Sequence, residues 1–329
     1  MNNFRTEIKC RKINGKAISH ENYTLILGSC FAENIGNKLI ENLFKVCCNP
    51  FGVLYNPISV LNTLKRIESG RLYTIDELFF FQELWRSFDH HSSFAHPNQE
   101  IALSKINENL QNSSIAFHNS GTVVITFGTS FVYSLKNDSR TVANCHKLPH
   151  QQFDRQLVTS EQVMQLYIPF FEKLLQTNPQ LQIILTISPV RYLKENANEN
   201  QISKSHLLIA VYELTSRFSR IHYFPSYEIM MDDLRDYRFY KPDLIHPNDT
   251  AVNYIWNRFR ETCISEESNR FIEEYKQIFS AKMHRIQYPV LESTKKFISA
   301  QLNHLSALTS KYPKINFSSD INYFKSLKQ

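Results

Sequence analysis

The chain has 329 residues, 42% hydrophobic and 21% charged, with a formal net charge of +6. That length supplies a core for one large domain plus an appendage, and no apolar run approaches the ~18 residues of a membrane span. Aromatic content reaches 13%, with 24 Phe and 16 Tyr, but no basic stripe alternates with those rings. They are read as core, and nucleic acid is not an expected partner.

Tyr23 to Leu27 reads as a short buried strand. Phe31, Ile35, Leu39, Ile40, Leu43 and Phe44 then recur at spacings of three and four, which makes one apolar helix face. A strand feeding directly into a helix sets Ser29 and Cys30 at the helix N-terminus, where free N–H groups and the dipole favour an anion. A loop framed by Pro50 and Pro57 leads to a helix through about Ile67. Val123 to Phe127 is a second strand, closed by Gly128-Thr129-Ser130, and Phe131 to Leu135 continues as an extended arm. Glu161 to Leu175 is a helix, and Ile183 to Ile187 a third strand followed by Ser188-Pro189-Val190-Arg191. His206 to Phe218 is helical, with Ser203 or Ser205 as its cap. Ile221 to Phe224 is a fourth strand and Ala251 to Phe259 a terminal helix.

Beyond about Ser265 the pattern changes to two helices, Phe271 to Ile286 and Val290 to Leu308, with Tyr288-Pro289 between them. The residues around Pro313, Ser318 and Ser319 read as a loose tail. The expected organisation is therefore a body over 1–264 and a helical appendage with tail over 265–329. From Ser280 to Gln329, eight Lys or Arg stand against two acidic residues, an excess equal to the net charge of the whole chain. That basic excess is read as a solvated helix face, with an acidic partner or anionic surface as the alternative.

Strands alternating with helices predict a parallel sheet covered on both faces, with ligands at the carboxyl ends of the strands. The chemically interesting residues follow strands: Ser29 and Cys30, Gly128 to Ser130, and Ser188 to Arg191. Asp243 and His246 stand just before the last body helix. His246 offers a base and Asp243 an orienting carboxylate, while Cys30 or Ser29 offers a nucleophile. Six cysteines form no disulfide framework and no C-x-x-C pair, and the first residues carry no apolar signal region. Reduced thiols in a cytoplasm fit that pattern. Cys47, Cys48, Cys145 and His146 have no zinc-like spacing, so neither a metal nor a cofactor is expected.

The string Gly28-Ser29-Cys30-Phe31-Ala32 resembles the signature of the GSCFA family. The resemblance continues through Asn49-Pro50-Phe51-Gly52, Thr126-Phe127-Gly128-Thr129-Ser130, Asn144-Cys145-His146-Lys147 and Thr186-Ile187-Ser188-Pro189-Val190-Arg191. It goes on through Ser203-Lys204-Ser205, Tyr223 to Glu228 and Leu234 to Tyr240, and ends in Asp243-Leu244-Ile245-His246-Pro247. The appendage lies outside it. The family is grouped with the SGNH, or GDSL-like, hydrolases. That resemblance implies a flavodoxin-like three-layer α/β/α sandwich and ester or acyl chemistry on a small-molecule or acylated substrate.

Laid without a gap on the Gly-Asp-Ser string of SGNH enzymes, Cys30 falls on the nucleophile; a shift of one residue selects Ser29 instead. The resemblance places Gly52 among the oxyanion-hole donors. The usual third-block asparagine is absent from Gly128-Thr129-Ser130-Phe131, which leaves Ser130 or Asn144 as its stand-in. Asn56, Thr129, Cys145, His146 and Arg191 are the expected substrate-binding residues. Hydrolase, acyltransferase and catalytically reduced binding module all remain open on sequence.

Overall fold

The computed structural model describes residues 6–13, 18–193, 196–284, 286, 288 and 291–327. In chain order the body runs β1 (Tyr23–Gly28), α1 (Cys30–Glu41), β2 (Val46–Cys48), α2 (Pro57–Ser69), β3 (Phe79–Phe81), β4 (Leu84–Arg86) and α3 (Gln99–His118). It continues β5 (Ser120–Phe127), β6 (Phe131–Leu135), β7 (Thr141–Val142), β8 (Phe153–Leu157), α4 (Ser160–Thr177) and β9 (Gln182–Ile187). It closes with α5 (Ala197–Arg217), β10 (Ile221–Phe224), the single turn α6 (Ser226–Glu228) and α7 (Asp249–Cys263). The appendage is α8 (Glu266–Met283), α9 (Glu292–Lys311) and α10 (Ser318–Ser326).

Five strands form one parallel sheet in the order β2-β1-β5-β9-β10. Counted along the chain, that is 2-1-3-4-5, the flavodoxin-like order, whose reversal lies between β1 and β5. Alternation along each strand divides the core in two. Leu25, Leu27, Val123, Ile125, Ile183 and Leu185 pack against α2, α3, α4 and α5. Ile26, Val124, Ile184 and Phe224 face α1 and α7. The result is the expected three-layer α/β/α sandwich. Two small antiparallel sheets, β3-β4 and β7-β6-β8, are excursions from it.

Several elements differ from the sequence reading. Helix α5 begins at Ala197, with Asn196 as its cap accepting from the Glu199 N–H at 2.7 Å. Ser203 and Ser205 therefore lie inside it; its first turns are too polar to show an apolar period. Helix α3 has no counterpart in the sequence reading, although Ala102, Ile106, Leu110, Ser113 and Phe117 form its buried stripe. The polar residues between them dilute that period. The arm after β5 is β6, held between β7 and β8.

The C-terminal residues are not a loose tail. Phe324 of α10 is fully buried with Phe271, Tyr275, Ile298 and Leu305. Asp320 is buried too, accepting from the Tyr275 hydroxyl at 2.8 Å and pairing with Lys282. The first appendage helix starts at Glu266 and stops at Met283, and the second starts at Glu292; Pro289 and Val290 lie outside the described residues. The C-terminal helices are fastened to the body by the Ser265 N–H, which donates to the Ile18 carbonyl at 3.0 Å, and by His20, whose Nδ1 lies 2.9 Å from the Ser268 hydroxyl.

The turn after β1 requires glycine. Gly28 has φ +139°, and a Cβ there would drive into the backbone carbonyl of Thr126 on β5. Gly28→Ala should therefore lower the unfolding free energy by more than about 2 kcal/mol. A urea titration reads this, and an unchanged midpoint would contradict the strand-end packing.

Candidate active site

The β1 turn gives its two candidate nucleophiles different environments. Ser29 is buried and caps α1: its hydroxyl accepts from the Phe31 N–H at 3.3 Å, and its own N–H donates to the Thr126 carbonyl. Cys30, the first residue of α1, is half-buried, with its Sγ 3.6 Å from the Tyr55 hydroxyl. Its backbone N–H meets no acceptor among the described residues, as expected of a first-turn donor. Burial, and then the adjoining Cys30, push the Tyr55 phenol well above its ordinary range, so it stays protonated.

The loop from Asn49 to Asn56 ties the ends of β1 and β5 together. Asn49 accepts from the Gly28 N–H at 2.8 Å, and the Leu54 N–H donates to the Gly28 carbonyl. The Tyr55 carbonyl accepts from both Gly128 and Thr129, at 2.7 and 2.9 Å. Gly52 donates its N–H to the Asn49 carbonyl within this loop, at φ +90°, with His91 against the space a Cβ would need. Ser130 is fully buried, its N–H donating to the Ser203 hydroxyl at 2.7 Å and its own hydroxyl without a partner. Thr129 shares that Ser203 hydroxyl.

The remaining expected binding residues divide between two places. Asn56 caps α2 through the Ser59 N–H, and Ser59 reaches the Val142 carbonyl of β7. Asn144 accepts from the His146 N–H, His146 Nε2 bonds the Ser87 carbonyl, and Cys145 packs beside Leu135, Val142 and Phe153. The hydrogen bonds of Asn56, Asn144 and His146 thus run to α2, to their own loop and to Ser87. Arg191, by contrast, follows β9 at the carboxyl edge of the main sheet. It stands within electrostatic reach of Lys204, Tyr227 and Tyr240. Its neighbour Tyr192 stands within such reach of Tyr55.

Asp243 and His246 form a tight dyad on the loop before α7. One Asp243 oxygen accepts from the Ile245 and His246 N–H groups at 2.9 and 3.0 Å; the other lies 2.8 Å from His246 Nδ1. Those backbone donors first, and the imidazole next, hold the carboxyl down at about 2. With Nδ1–H donated to the carboxylate, Nε2 is left as the basic nitrogen. The loop is pinned by a Tyr240–Pro247 bridge and by the Lys241 N–H on the His246 carbonyl. Both side chains are partly exposed, and among the described residues no hydrogen bond joins His246 to Cys30 or Ser29.

Two residues of the region escape sequence reasoning. Tyr55 sits in a loop with no periodic signal. Lys204 is fully buried, its Nζ donating to the Gly128 and Ser188 carbonyls at 2.8 and 2.7 Å, just past the ends of β5 and β9. Burial first, then Arg191, push its ammonium down to about 7. A neutral amine has two N–H donors, which matches the two carbonyls it meets. Its signal in the sequence is its place on the inner stripe of α5, in step with Leu207, Val211 and Leu214.

Fold and strand ends thus define a flavodoxin-like α/β/α protein whose Cys30 thiol and Tyr55 hydroxyl meet at the reversal of strand order, with Lys204 and Arg191 past the ends of β5 and β9. The chain belongs to the GSCFA family, whose model matches residues 24–259. No curated protein matches it. Among solved structures it is similar to an acetyl xylan esterase, Est2A, from the rumen bacterium Butyrivibrio proteoclasticus, at 10% identity and a TM-score of 0.36. That match covers 74% of this chain and 64% of the esterase. No helix among the described residues is long and apolar enough to cross a membrane, and no group of three or more His, Cys, Asp or Glu is placed to hold a metal. A cavity of about 470 Å³ lies at the junction with the appendage, lined by His20, Ser268, Lys311 and Tyr312, and contains none of the candidate residues.

Two measurements test these assignments. Ser29→Ala should cost about 1 kcal/mol of stability through the lost cap, and Ser29→Gly much less; equal losses in denaturant titrations would contradict the capping role. Folded Lys204 releases its proton near pH 7, whereas the unfolded chain holds it to about 10.5. Its burial penalty is therefore full below pH 7 and fades as pH rises through that window. Stability of the native chain relative to Lys204→Met should rise across it, and a flat difference would show that Lys204 titrates normally.

Proposed function

We propose that this protein is an esterase-like acyl hydrolase working through a thioester on Cys30. The observation that carries the reading is the division at the β1 turn: Ser29 is buried as a cap, while Cys30 presents its thiol and a free N–H at the helix start. In the proposed reaction Cys30 Sγ attacks the ester carbonyl carbon and its proton passes to His246 Nε2. Asp243 keeps the imidazole oriented and stabilises its cationic form. The carbon–oxygen bond breaks, and the leaving alcohol takes the proton from His246. Water then attacks the thioester carbonyl, giving its proton to His246. The carbon–sulfur bond breaks, and the thiolate recovers that proton.

The Cys30 N–H and the Tyr55 hydroxyl are the proposed oxyanion donors, since Gly52 and Ser130 spend their N–H groups on Asn49 and Ser203. Catalysis requires His246 Nε2 within proton-transfer reach of the thiol; unliganded sites commonly hold such pairs loosely. The lack of a hydrogen bond between them also favours a second reading, a catalytically reduced domain that binds an acylated partner.

Intact-protein mass spectrometry after mixing with p-nitrophenyl acetate separates the two. Selectivity for Cys30 is expected, because burial pushes Cys47 and Cys48 up to about 11 and 12 and raises Cys263 well above its ordinary value. One acetyl adduct should form, vanish in Cys30→Ala, persist in Ser29→Ala, and form about 10²–10⁴-fold more slowly in His246→Ala. An adduct that survives Cys30→Ala and is lost in Ser29→Ala would transfer the role to Ser29. No adduct on either residue would favour the binding module.

A further inference from the structure

Arg191 is anomalous among the arginines of this chain. Arg66, Arg140, Arg155 and Arg260, all at least partly buried, pair with Glu77, Asp89, Glu199 and Glu273. Arg191 has no carboxylate partner and no hydrogen bond among the described residues; its Nε is buried without an acceptor, as are those of Arg66, Arg155 and Arg258, but those three have partners on their terminal nitrogens. A guanidinium desolvated in this way without an acceptor costs free energy until one is supplied. Its terminal nitrogens are not enclosed with Nε, so an acceptor arriving from the cleft can reach them.

The position of Arg191 is as informative as its lack of a partner. It follows β9 at the carboxyl edge of the sheet. Its neighbour Tyr192 stands within electrostatic reach of Tyr55, which touches Cys30. Arg191 itself stands within electrostatic reach of Tyr240, the residue bridged to Pro247 at the base of the Asp243–His246 loop. Lys204, within its electrostatic reach, donates only to backbone carbonyls, so among the described residues no acidic residue is bonded to either. A guanidinium left without an acceptor at this edge of the sheet makes a receptor for negative charge.

We propose that Arg191 is an anion clamp, and that the substrate carries a carboxylate or phosphate group which accepts two hydrogen bonds from its guanidinium. The assignment rests on reading the strand-end cleft as the substrate site and narrows the substrate to anionic acyl compounds. The planar fork of arginine matches either anion, which a lysine at this place would not.

Isothermal titration of the intact chain with succinate and with inorganic phosphate tests the clamp. Saturable one-site binding is expected, stronger for whichever anion the site is built for, and weakened about 10- to 100-fold in Arg191→Gln. Arg191→Lys should fall between the two. Phenylglyoxal labelling of the native chain, mapped by mass spectrometry, gives the same answer without a variant: Arg191 should react, and the bound anion should protect it. Titrating Cys30→Ala as well separates this claim from the acyl chemistry. Anion binding without any acyl adduct would keep the clamp and remove the hydrolase reading. An adduct without anion binding would do the reverse. Equal binding by the native chain and Arg191→Gln, labelling of Arg191 that neither anion slows, or no binding of either anion by the folded native chain, would overturn the proposal.

Discussion

The candidate site depends on one backbone carbonyl. The Tyr55 oxygen accepts from the Gly128 and Thr129 N–H groups, and so joins the loop after β2 to the end of β5 across the reversal of the sheet. At the other end of the loop, the Asn49 side chain accepts from Gly28 at the end of β1. Parallel strands diverge from their connecting loops at this point and leave a crevice. Here the loop closes the floor of that crevice and brings the Tyr55 hydroxyl to the Cys30 thiol. Gly28 allows the close approach of β1 to β5 that makes this strap possible.

Backbone donors near the thiol, including the Gly52 and Ser130 that the sequence suggests for an oxyanion, are consumed inside the protein. Gly52, Gly128, Thr129 and Ser130 each donate their N–H within the protein. The donors left facing the thiol are its own N–H and a tyrosine kept protonated by burial. On the far side, Asp243 spends three contacts on its own loop, two of them to backbone N–H groups. Its first task is thus to shape the turn that presents His246. Orientation of the imidazole is built on that shape.

Much of the sandwich was legible because buried strands and amphipathic helices carry strong periods. The apolar runs at Leu25, Val123 and Ile183 and the face of α1 mark their elements directly. Helix α3 was hidden because asparagine, glutamine and serine interrupt its stripe, and α10 because a short segment reveals its amphipathicity only against α8 and α9. At the site, Cys30, Asp243 and His246 stand in recognisable strings. Tyr55 was invisible because its role comes from a loop conformation and from contact across 25 residues. The roles of Asn56 and Ser29 as caps were not separable from binding or attack by residue type, since the same short polar side chains serve both. The missing partner of Arg191 is a tertiary fact that no spacing encodes.

The central claim is that Cys30 and His246 act as one proton-transfer unit at the strand ends. The rate of iodoacetamide alkylation at Cys30, followed from pH 5 to 9 in the native chain and in His246→Ala, measures that coupling most directly. A functioning unit predicts that the native thiol reacts at least about tenfold faster than the variant on the acidic side of neutrality, because the imidazole takes its proton. Superimposable rate profiles for the two proteins would contradict it.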